Sequence, residues 1–310
     1  MNRVVVRAPA TTSNLGPGFD VFGLALDAMY DVVEAVRIDG GVRVEVSGVG
    51  SERIPTTPEH NTAGRVAIEL AEQAGLGVEL RVRKGIPPGS GLGSSAASAA
   101  ATAVALNRLF NLKLDQHSLV EVASRGEVAA AGAPHADQVA AAIYGGFIII
   151  QSYRPLRVAA FPPPSNVEFV LAVPRGIRKT TRQARAVLPR QVELERVVEN
   201  LGAAGFVAAG MLLSNPELIG LGVMGDRIVE PVRIRLYPGC ERVKRAAVAH
   251  GASGATLSGA GPTMLAIVNP ERASASIVAE AMKRAYGEEG VECECYVAHP
   301  CGGAEVIAED

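Results

Sequence analysis

The sequence predicts an α+β fold built as two domains. Strand-like segments rich in β-branched residues alternate with helical segments along the chain, as at 78–83 and 95–109. A chain of 310 residues is long enough for two domains. Three consecutive prolines at 162–164 are typical of a break between domains. We therefore expect a first domain over residues 1–160 and a second over 161–310.

The first half divides into short segments bounded by turn residues. Residues 3–8 predict a strand that ends at Pro9, because proline cannot donate to a central ladder. The Gly, Pro, Asn and Ser content of 10–20 predicts a loop. Segments 32–38 and 42–46 flank Asp39-Gly40-Gly41, which predicts a hairpin. The remaining predictions are a capped helix over 62–75, a strand over 78–83, helices over 95–109 and 119–131, and an apolar strand over 143–150.

The second half continues the alternation. Strands are predicted over 169–173, 264–268 and 291–297, and helices over 191–211, 240–250 and 273–286. A glycine-rich turn occupies 251–261.

Composition indicates an ordinary globular protein, with 48% hydrophobic and 20% charged residues. The net charge of −2 gives no electrostatic reason to expect a nucleic acid as partner. We identify neither a signal sequence nor an apolar run long enough to cross a bilayer, so we expect a cytoplasmic protein with no membrane partner. The four cysteines, including a C-x-C pair, match no common zinc or thiol-oxidoreductase spacing and are expected to be free.

The stretch 87–97, PPGSGLGSSAA, predicts an anion-binding loop that leads into a helix. Glycines let the backbone turn sharply, and the first N–H groups of the alanine-rich helix lack intrahelical partners. Phosphate is the usual ligand of such a site, and Ser94 and Ser95 are candidates to cap the helix or to offer a hydroxyl to a phosphate or metal. The candidate phosphate-binding residues are Pro87, Pro88, Gly89, Ser90, Gly91, Leu92, Gly93, Ser94, Ser95, Ala96 and Ala97.

This loop resembles the phosphate-binding motif of the GHMP kinases, Pro-x-x-x-Gly-Leu-Gly-Ser-Ser-Ala. Segments 9–20 and 253–261 resemble the other two motifs of the family, and the first of them, PATTSNLGPGFD, is similar to the homoserine kinase branch. The resemblance implies a ribosomal-protein-like N-terminal domain and a ferredoxin-like C-terminal domain. It also implies ATP-dependent, Mg²⁺-assisted phosphorylation of L-homoserine to O-phospho-L-homoserine and ADP in threonine biosynthesis. Separately from the resemblance, we expect a homodimer.

A zwitterionic amino acid needs a carboxylate beside its ammonium and guanidinium donors beside its carboxylate. Asp20 meets the first need. By resemblance Arg185 and Arg233 meet the second, with Arg235 as an alternative to Arg233. The full substrate set that the resemblance implies is Asn14, Asp20, His135, Thr181, Arg185, Arg233 and Gly259.

The remaining roles also follow from the resemblance. Glu127 and Ser95 would hold Mg²⁺, which prefers one or two protein oxygens together with phosphate and water. Asp137 is a candidate general base, and a phosphate oxygen is the alternative proton acceptor. Gln138 stands where the family has asparagine, and Asn61 and Thr62 lie where the family holds adenine or ribose.

Two other functions remain open at the level of the sequence. One is another small-molecule GHMP kinase, of the shikimate or mevalonate type. The other is a noncatalytic relative that binds a nucleotide or RNA. Intact Ser95, Glu127 and Asp20 argue against a silent relative, and the slightly acidic charge argues against RNA.

Overall fold

A computed structural model describes residues 1–127, 136–177 and 179–310. Its strands are β1 (Arg3–Asn14), β2 (Gly18–Ile38), β3 (Val42–Gly48), β4 (Gly77–Lys84), β5 (Phe147–Tyr153), β6 (Leu156–Phe161), β7 (Glu168–Pro174), β8 (Gly254–Leu257), β9 (Met264–Val268), β10 (Cys293–Ala298) and β11 (Glu305–Glu309). Its α-helices are α1 (Thr62–Ala74), α2 (Ser94–Leu109), α3 (Gln116–Gly126), α4 (Ala136–Tyr144), α5 (Thr181–Ala186), α6 (Leu194–Leu213), α7 (Pro216–Val223), α8 (Glu230–Arg233), α9 (Cys240–Ala249) and α10 (Ala275–Gly287).

The first sheet carries α2, the helix that follows the glycine-rich stretch 87–93. Its strands follow the order β11-β1-β2-β4-β3, and β5 pairs with β2 and with β6. Helices α2 and α4 pack against β1 and β2, and α1 and α3 pack against α2. The alanines of α2 are buried, which lets the helix lie close to the sheet.

The second sheet is antiparallel and has the strand order β10-β7-β9-β8. Helices α9 and α10 cover it and share a second hydrophobic cluster with it. Two sheets, each covered by helices, confirm the predicted α+β fold.

The two sheets also share a core. Phe169, Leu171 and Leu265 of the second sheet belong to the same buried cluster as the first sheet. The chain passes from β6 to β7 through the triproline region, but β11 returns to pair with β1. The domain boundary at 160 remains a prediction, and it does not separate the strands of the two sheets completely.

The predicted hairpin is wrong. β3 pairs in parallel with β4, and β4 lies between β3 and β2. The turn residues at 39–41 do reverse the chain, but β2 and β3 do not pair, because β4 lies between them. A local turn signal cannot report such an insertion.

Two further boundaries differ from the prediction. The loop over 10–20 shrinks to residues 15–17, because β1 runs through Pro9 across a register shift and β2 begins at Gly18. The strand predicted over 143–150 begins at Phe147, since residue 143 ends α4. The predicted helix over 119–131 is α3, and its proposed end lies partly outside the described residues.

Several elements were not predicted from the sequence, namely α4, α5, α7, α8, β6, β11 and β8, which lies within the predicted turn over 251–261. In addition, α6 is long and apolar enough to cross a membrane by length and composition, although no such run was identified from the sequence. Only 17% of its most apolar window is buried.

A buried ion pair joins the first sheet to the start of α2. Lys84, at the end of β4, donates its three ammonium protons to the Asp31 carboxylate, to Ser94 O at 2.7 Å and to Ser98 Oγ at 2.6 Å. The second oxygen of Asp31 accepts from Gly85 N at 3.0 Å. Burial lowers the pKa of Lys84, and the Asp31 charge opposes this shift. The pair therefore fixes the strand that delivers the chain to the phosphate loop.

We expect Lys84→Met to lower the free energy of unfolding by about 3–5 kcal/mol, because it leaves the buried Asp31 carboxylate without its counter-charge. Adding Asp31→Asn to the same chain removes that charge and keeps an acceptor, so the double variant should recover at least half of the loss. Urea unfolding of the three proteins measures both effects. A loss below about 1 kcal/mol in Lys84→Met would show that the pair does not hold the loop.

Candidate active site

A cavity of about 400 Å³ lies where the two sheets meet. Its wall has three parts. One is apolar and includes Val46, Ile54 and Val82, the second is formed by the phosphate loop with Ser95 and Glu127, and the third carries Asp20 and the arginines. An apolar wall, an anion loop and a charged end suit a nucleotide triphosphate that faces a small charged molecule.

The phosphate loop, residues 87–93, has the backbone that the glycines predicted. Gly89, Gly91 and Gly93 have φ values of 73°, 85° and 69°, in the left-handed region that favours glycine. Helix α2 begins at Ser94, with Gly93 as its N-cap and no side-chain cap. The expectation that the serines cap the helix is therefore wrong. Ser94 Oγ instead donates to Ile86 O at 2.7 Å, so the first N–H groups of α2 remain available to an anion.

Three segments of the chain meet behind this loop. Ser258 Oγ lies 2.8 Å from Gly91 O and 2.9 Å from Thr12 Oγ1, and Gly259 N donates to Ser13 O at 3.1 Å. A Cβ on Gly91 would lie 2.4 Å from Ser258 O. The junction is therefore built by backbones in close contact and leaves no space for side chains.

Glu127 and Ser95 form one candidate cation site. Ser95 Oγ donates to Glu127 Oε2 at 3.0 Å, while the buried Glu127 Oε1 has no hydrogen-bond partner among the described residues. Burial raises the pKa of Glu127 to about 7. An orphaned carboxylate oxygen beside a serine hydroxyl, next to a phosphate-binding helix end, is the oxygen set that Mg²⁺ takes together with phosphates and water. The residues present fit this ion.

Two arginines contact one aromatic ring at the charged end. The guanidinium carbons of Arg185 and Arg233 lie 5.0 and 4.9 Å from the centroid of the Phe19 ring. Arg185 donates to both carboxylate oxygens of Asp20, at 2.6 and 2.8 Å. Asp20 and Arg185, expected to hold opposite ends of a substrate, are therefore partners of each other here.

Arg233 is the more deeply buried arginine, with 2% of its surface exposed. It donates to Ala184 O at 3.0 Å and to Gly259 O at 3.4 Å, and no described carboxylate forms an ion pair with it. Burial, reinforced by the like charge of Arg185, lowers its pKa. A buried cation without a counter-ion makes this end of the cavity attractive to an anion. The alternative candidate, Arg235, is exposed and does not line the cavity.

Asn14 fixes the geometry of the turn between β1 and β2. Its Nδ2 donates to Gly259 O at 2.7 Å, and its Oδ1 accepts from Asp20 N at 3.2 Å. Both polar atoms of the Asn14 side chain therefore form hydrogen bonds within the protein. Asn14 lines the cavity and positions Asp20.

Asp137 and Gln138 start α4 and also line the cavity. Burial, followed by the nearby charge of Asp20, raises the pKa of Asp137 to about 6. A Cβ built on Gly259 would lie 3.0 Å from Gln138 Nε2, so the longer amide fills the space beside this glycine. A carboxylate with a pKa near neutrality is suited to accept a proton.

At the apolar end, Asn61 is the N-cap of α1. Its Oδ1 accepts from Gly64 N at 3.1 Å and its Nδ2 donates to Pro55 O at 2.7 Å. Asn61 and Thr62 line the cavity, with Asn61 acting mainly as a scaffold for that wall.

Most predicted site residues border the cavity. Those that do are Asn14, Asp20, Asn61, Thr62, Pro88, Gly89, Gly91, Gly93, Ser94, Ser95, Glu127, Asp137, Gln138, Thr181, Arg185 and Arg233. Those that do not are Pro87, Ser90, Leu92, Ala96, Ala97 and Gly259, of which Leu92, Ala96 and Ala97 belong to the hydrophobic core. His135 lies outside the described residues.

Several residues that support the cavity were not predicted from the sequence. Lys84 and Ser98 support the helix start, and Phe19 is the surface on which the arginines lie. A lysine at the end of the strand before the loop was the one available signal for Lys84. Nothing in the sequence distinguishes Phe19 from a core aromatic.

Comparison with known proteins agrees with this arrangement. The family profile "GHMP kinases N terminal domain" matches residues 61–146, and "GHMP kinases C terminal" matches 207–288. The homoserine kinase of Methanopyrus kandleri is 48% identical over 265 residues, which cover 85% of this chain and 86% of the relative.

Solved structures give the same result. The homoserine kinase structure from Cytophaga hutchinsonii is 37% identical, with a TM-score of 0.92 over 99% of this chain and 98% of that one. A more distant chain, described as "MDDEF in complex with MVAPP, AMPPCP and Magnesium", is 16% identical and shares the fold alone, with a TM-score of 0.70 over 99% of each chain. Fold and cavity together define a small-molecule kinase of the GHMP class. Within that class, the chain belongs to the homoserine kinase family.

We expect Gly91→Ala to lower the free energy of unfolding by about 3–5 kcal/mol and to raise KM for MgATP, since the new Cβ meets Ser258 O in a left-handed backbone. Gly176→Ala is the matched control. Its φ is 74° and nothing lies within 4 Å of the added Cβ, so it should cost only about 1–2 kcal/mol. Equal losses in urea unfolding would show that the junction tolerates a side chain.

Proposed function

We propose that this protein transfers the γ-phosphoryl group of ATP to the terminal hydroxyl of L-homoserine, giving O-phospho-L-homoserine and ADP in threonine biosynthesis. The observation that carries the choice of substrate is Arg233, a buried guanidinium beside Arg185 that forms no ion pair with a carboxylate of the described residues. A substrate carboxylate supplies the missing negative charge. Asp20, which pairs with Arg185 through both carboxylate oxygens, then receives the ammonium.

The nucleotide part rests on the phosphate loop and the start of α2. Exposed N–H groups at the helix start hold the β- and γ-phosphates, and the apolar wall by Asn61 and Thr62 receives the adenosine. Ser95 and Glu127 would hold Mg²⁺, which neutralises phosphate charge when bound. Lys84, whose three donors are occupied, keeps the helix start in place.

The reaction asks the protein mainly for positioning and charge neutralisation. Asp20, Arg185 and Arg233 orient the amino acid so that its hydroxyl oxygen faces the γ-phosphorus in line with the leaving oxygen. We assign the hydroxyl proton to Asp137, whose pKa of about 6 leaves it ionised at neutral pH. The proposed site thus combines a loop that binds phosphate, a Mg²⁺ site, charged residues that orient the amino acid, and a general base.

Substrate identity is tested by ADP release with homoserine, shikimate and mevalonate in separate assays. We expect turnover with homoserine alone. If only shikimate or mevalonate were turned over, the protein would be a GHMP kinase of another substrate type. Salt-sensitive RNA binding without any kinase turnover would instead favour a noncatalytic relative.

We also propose that the protein is a homodimer in the cytoplasm and that its activity requires neither a nucleic acid nor a membrane. All four cysteines are free thiols, as is usual for cytoplasmic proteins. The net charge of −2 supports the absence of a nucleic-acid partner.

The raised pKa of Asp137 predicts a pH dependence. Because a raised carboxyl pKa favours the neutral acid, the base form is present above about pH 6 and is lost below it. At saturating MgATP, kcat/KM for homoserine should be level near neutrality and fall about tenfold per pH unit in acid. Asp137→Asn should lower kcat by about 10²–10⁴-fold and remove this slope. A variant that keeps the wild-type kcat would show that a phosphate oxygen takes the proton.

Two truncated substrates separate the charged subsites. The compound 3-amino-1-propanol lacks the carboxylate, and 4-hydroxybutanoate lacks the ammonium. Arg233→Met should lower kcat/KM for homoserine by about 10–100-fold, the loss of one charge-assisted contact, and should change 3-amino-1-propanol little. Asp20→Asn should likewise lower kcat/KM for homoserine but leave kcat/KM for 4-hydroxybutanoate near the wild-type value.

If either variant lowered kcat/KM equally for homoserine, 3-amino-1-propanol and 4-hydroxybutanoate, the proposed orientation of the amino acid would be wrong. Arg185→Ala should raise KM for homoserine much more than KM for ATP, because the arginine faces the amino acid. Arg235→Ala is the control, since Arg235 is exposed, and it should leave all these values at wild type.

A further inference from the structure

Arg233 lies on a helix that is too short to hold itself. Helix α8 is a single turn, Glu230–Arg233, and its N-cap residue, Val229, offers no side-chain cap. An isolated turn does not form in water, because it fixes several residues for one hydrogen bond. Contacts with the rest of the protein must therefore fix the position of the Arg233 guanidinium.

The buried carboxylate of Asp226 shapes this turn locally. Its Oδ1 accepts from Ile228 N at 2.8 Å and from Val229 N at 3.0 Å, and its Oδ2 accepts from Glu230 N at 2.8 Å. N–H groups at the start of a helix have no partner within the helix, so the carboxylate replaces one. All three bonds stay within residues 226–230. They form the turn but do not place it against the cavity.

Glu230 connects α8 to two other elements. Its Oε1 accepts from Leu257 N at 3.1 Å, and its Oε2 accepts from Lys244 Nζ at 2.6 Å. Leu257 is buried at the end of β8, an edge strand of the second sheet, so its main-chain N–H needs an acceptor other than a neighbouring strand. Lys244 lies on α9. The Glu230 carboxylate therefore joins α8 both to the sheet edge and to α9.

Glu230 and Lys244 form an ion pair that is largely withdrawn from solvent. The Glu230 side chain is 7% exposed and the Lys244 side chain is 17% exposed. Burial raises the pKa of Glu230, and the charge and hydrogen bond of Lys244 oppose that shift. Removing one partner of such a pair leaves the other charge unbalanced, so the two residues act as a unit.

Glu230 and Arg233 meet the same stretch of backbone. They are three residues apart on α8 and so lie on the same side of the helix. Glu230 accepts from Leu257 N, and Arg233 Nη1 donates to Gly259 O at 3.4 Å, two residues further along the chain. The position of the Glu230 carboxylate on Leu257 therefore sets where the guanidinium lies at the charged end of the cavity.

Lys244 also keeps the Glu230 carboxylate away from Arg233. Opposite charges three residues apart on a helix can pair with each other when nothing else binds them. With Lys244 bound to Glu230, no described carboxylate forms an ion pair with Arg233. The guanidinium thus stays available to an incoming anion.

We propose that Glu230 and Lys244 are positioning residues for Arg233 and thereby determine how tightly the site binds a substrate carboxylate. Neither residue lines the cavity, so both act through Arg233. Lys244 confines the Glu230 carboxylate to Leu257, which holds α8 in place and leaves the guanidinium free. This role rests on the proposed function, in which Arg233 receives the carboxylate of homoserine.

The variant Lys244→Met removes the charge but keeps most of the length of the side chain. We expect KM for homoserine to rise about tenfold, because the freed Glu230 carboxylate competes with the substrate for Arg233, while kcat and KM for MgATP stay within about twofold of wild type. For 3-amino-1-propanol, which lacks the carboxylate, kcat/KM should not change. A merely structural defect would instead lower kcat for both substrates by the fraction of enzyme that is unfolded.

Two further lysine variants are the controls. Lys244→Arg keeps the charge and a donor, and it should keep KM for homoserine near the wild-type value. Lys283→Met makes the same change at an exposed lysine on α10 and should leave every value at wild type. An unchanged KM for homoserine in Lys244→Met, or an equal loss of kcat/KM with 3-amino-1-propanol, would overturn the proposal.

A double-mutant cycle tests whether the effect passes through Arg233. In the Arg233→Met background the guanidinium is absent, so adding Lys244→Met should lower kcat/KM for homoserine no further. If the two losses multiply, Lys244 acts independently of Arg233 and the proposed role is wrong.

Glu230→Asp gives a second test that does not depend on the fold of Lys244→Met. The carboxylate is one methylene shorter and cannot keep its bonds to both Leu257 and Lys244, so KM for homoserine should rise while kcat/KM for 3-amino-1-propanol stays unchanged. Urea unfolding establishes that each variant is folded at the assay temperature. A folded Glu230→Asp variant with the wild-type KM for homoserine would contradict the positioning role.

The wild type separates this role from the proposed function. If the wild type does not turn over homoserine, the proposed function fails and the positioning role fails with it. If it does, and Arg233→Met lowers kcat/KM for homoserine as expected while Lys244→Met matches the wild type, only the positioning role fails.

Discussion

The structure depends on one close contact between backbones. Gly91 of the phosphate loop and Ser258–Gly259 of the second sheet approach each other without space for a Cβ, and Ser258 also reaches Thr12 at the end of β1. Each contact joins a different sheet or motif to the same point. The phosphate loop, the β1–β2 turn and the second sheet are therefore fixed relative to one another, and the cavity between them has a defined shape.

The charges inside this cavity are incompletely balanced by the protein itself. Among the residues that the structure describes, Glu127 has an oxygen without a hydrogen-bond partner and a pKa raised to about 7, and Arg233 is a buried cation that no carboxylate pairs with. Groups of this kind weaken the folded state, because burial penalises their charged forms. A divalent cation and a zwitterionic substrate, as proposed above, would correct both imbalances. Their binding would complete the electrostatics of the site, so that groups which weaken the folded state would serve function.

The sequence predicted the parts of the fold that are encoded locally. The glycine pattern predicted the left-handed turns of the phosphate loop, and the pair Asn61-Thr62 predicted the start of α1, where Asn61 is the N-cap. Long-range pairing was not encoded in the same way, so β3 was paired with the wrong strand. Arg233 could not be separated from Arg235 by sequence, because the difference between them is burial. Lys84 was missed for the same reason, since its role depends on a partner 53 residues away.

The turn between β1 and β2 shows why a site residue can act through its backbone. Asn14, Leu15 and Asp20 have φ values of 69°, 49° and 59°, in a region that side chains disfavour. Such a conformation persists only where the surroundings hold it. Here Asn14 is fixed to Gly259 on one side, and Pro17 is fixed to Asn200 of α6 on the other. The direction of the Asp20 carboxylate is thus set jointly by the second sheet and by α6, which ties the substrate end of the cavity to the most exposed apolar helix described in this chain.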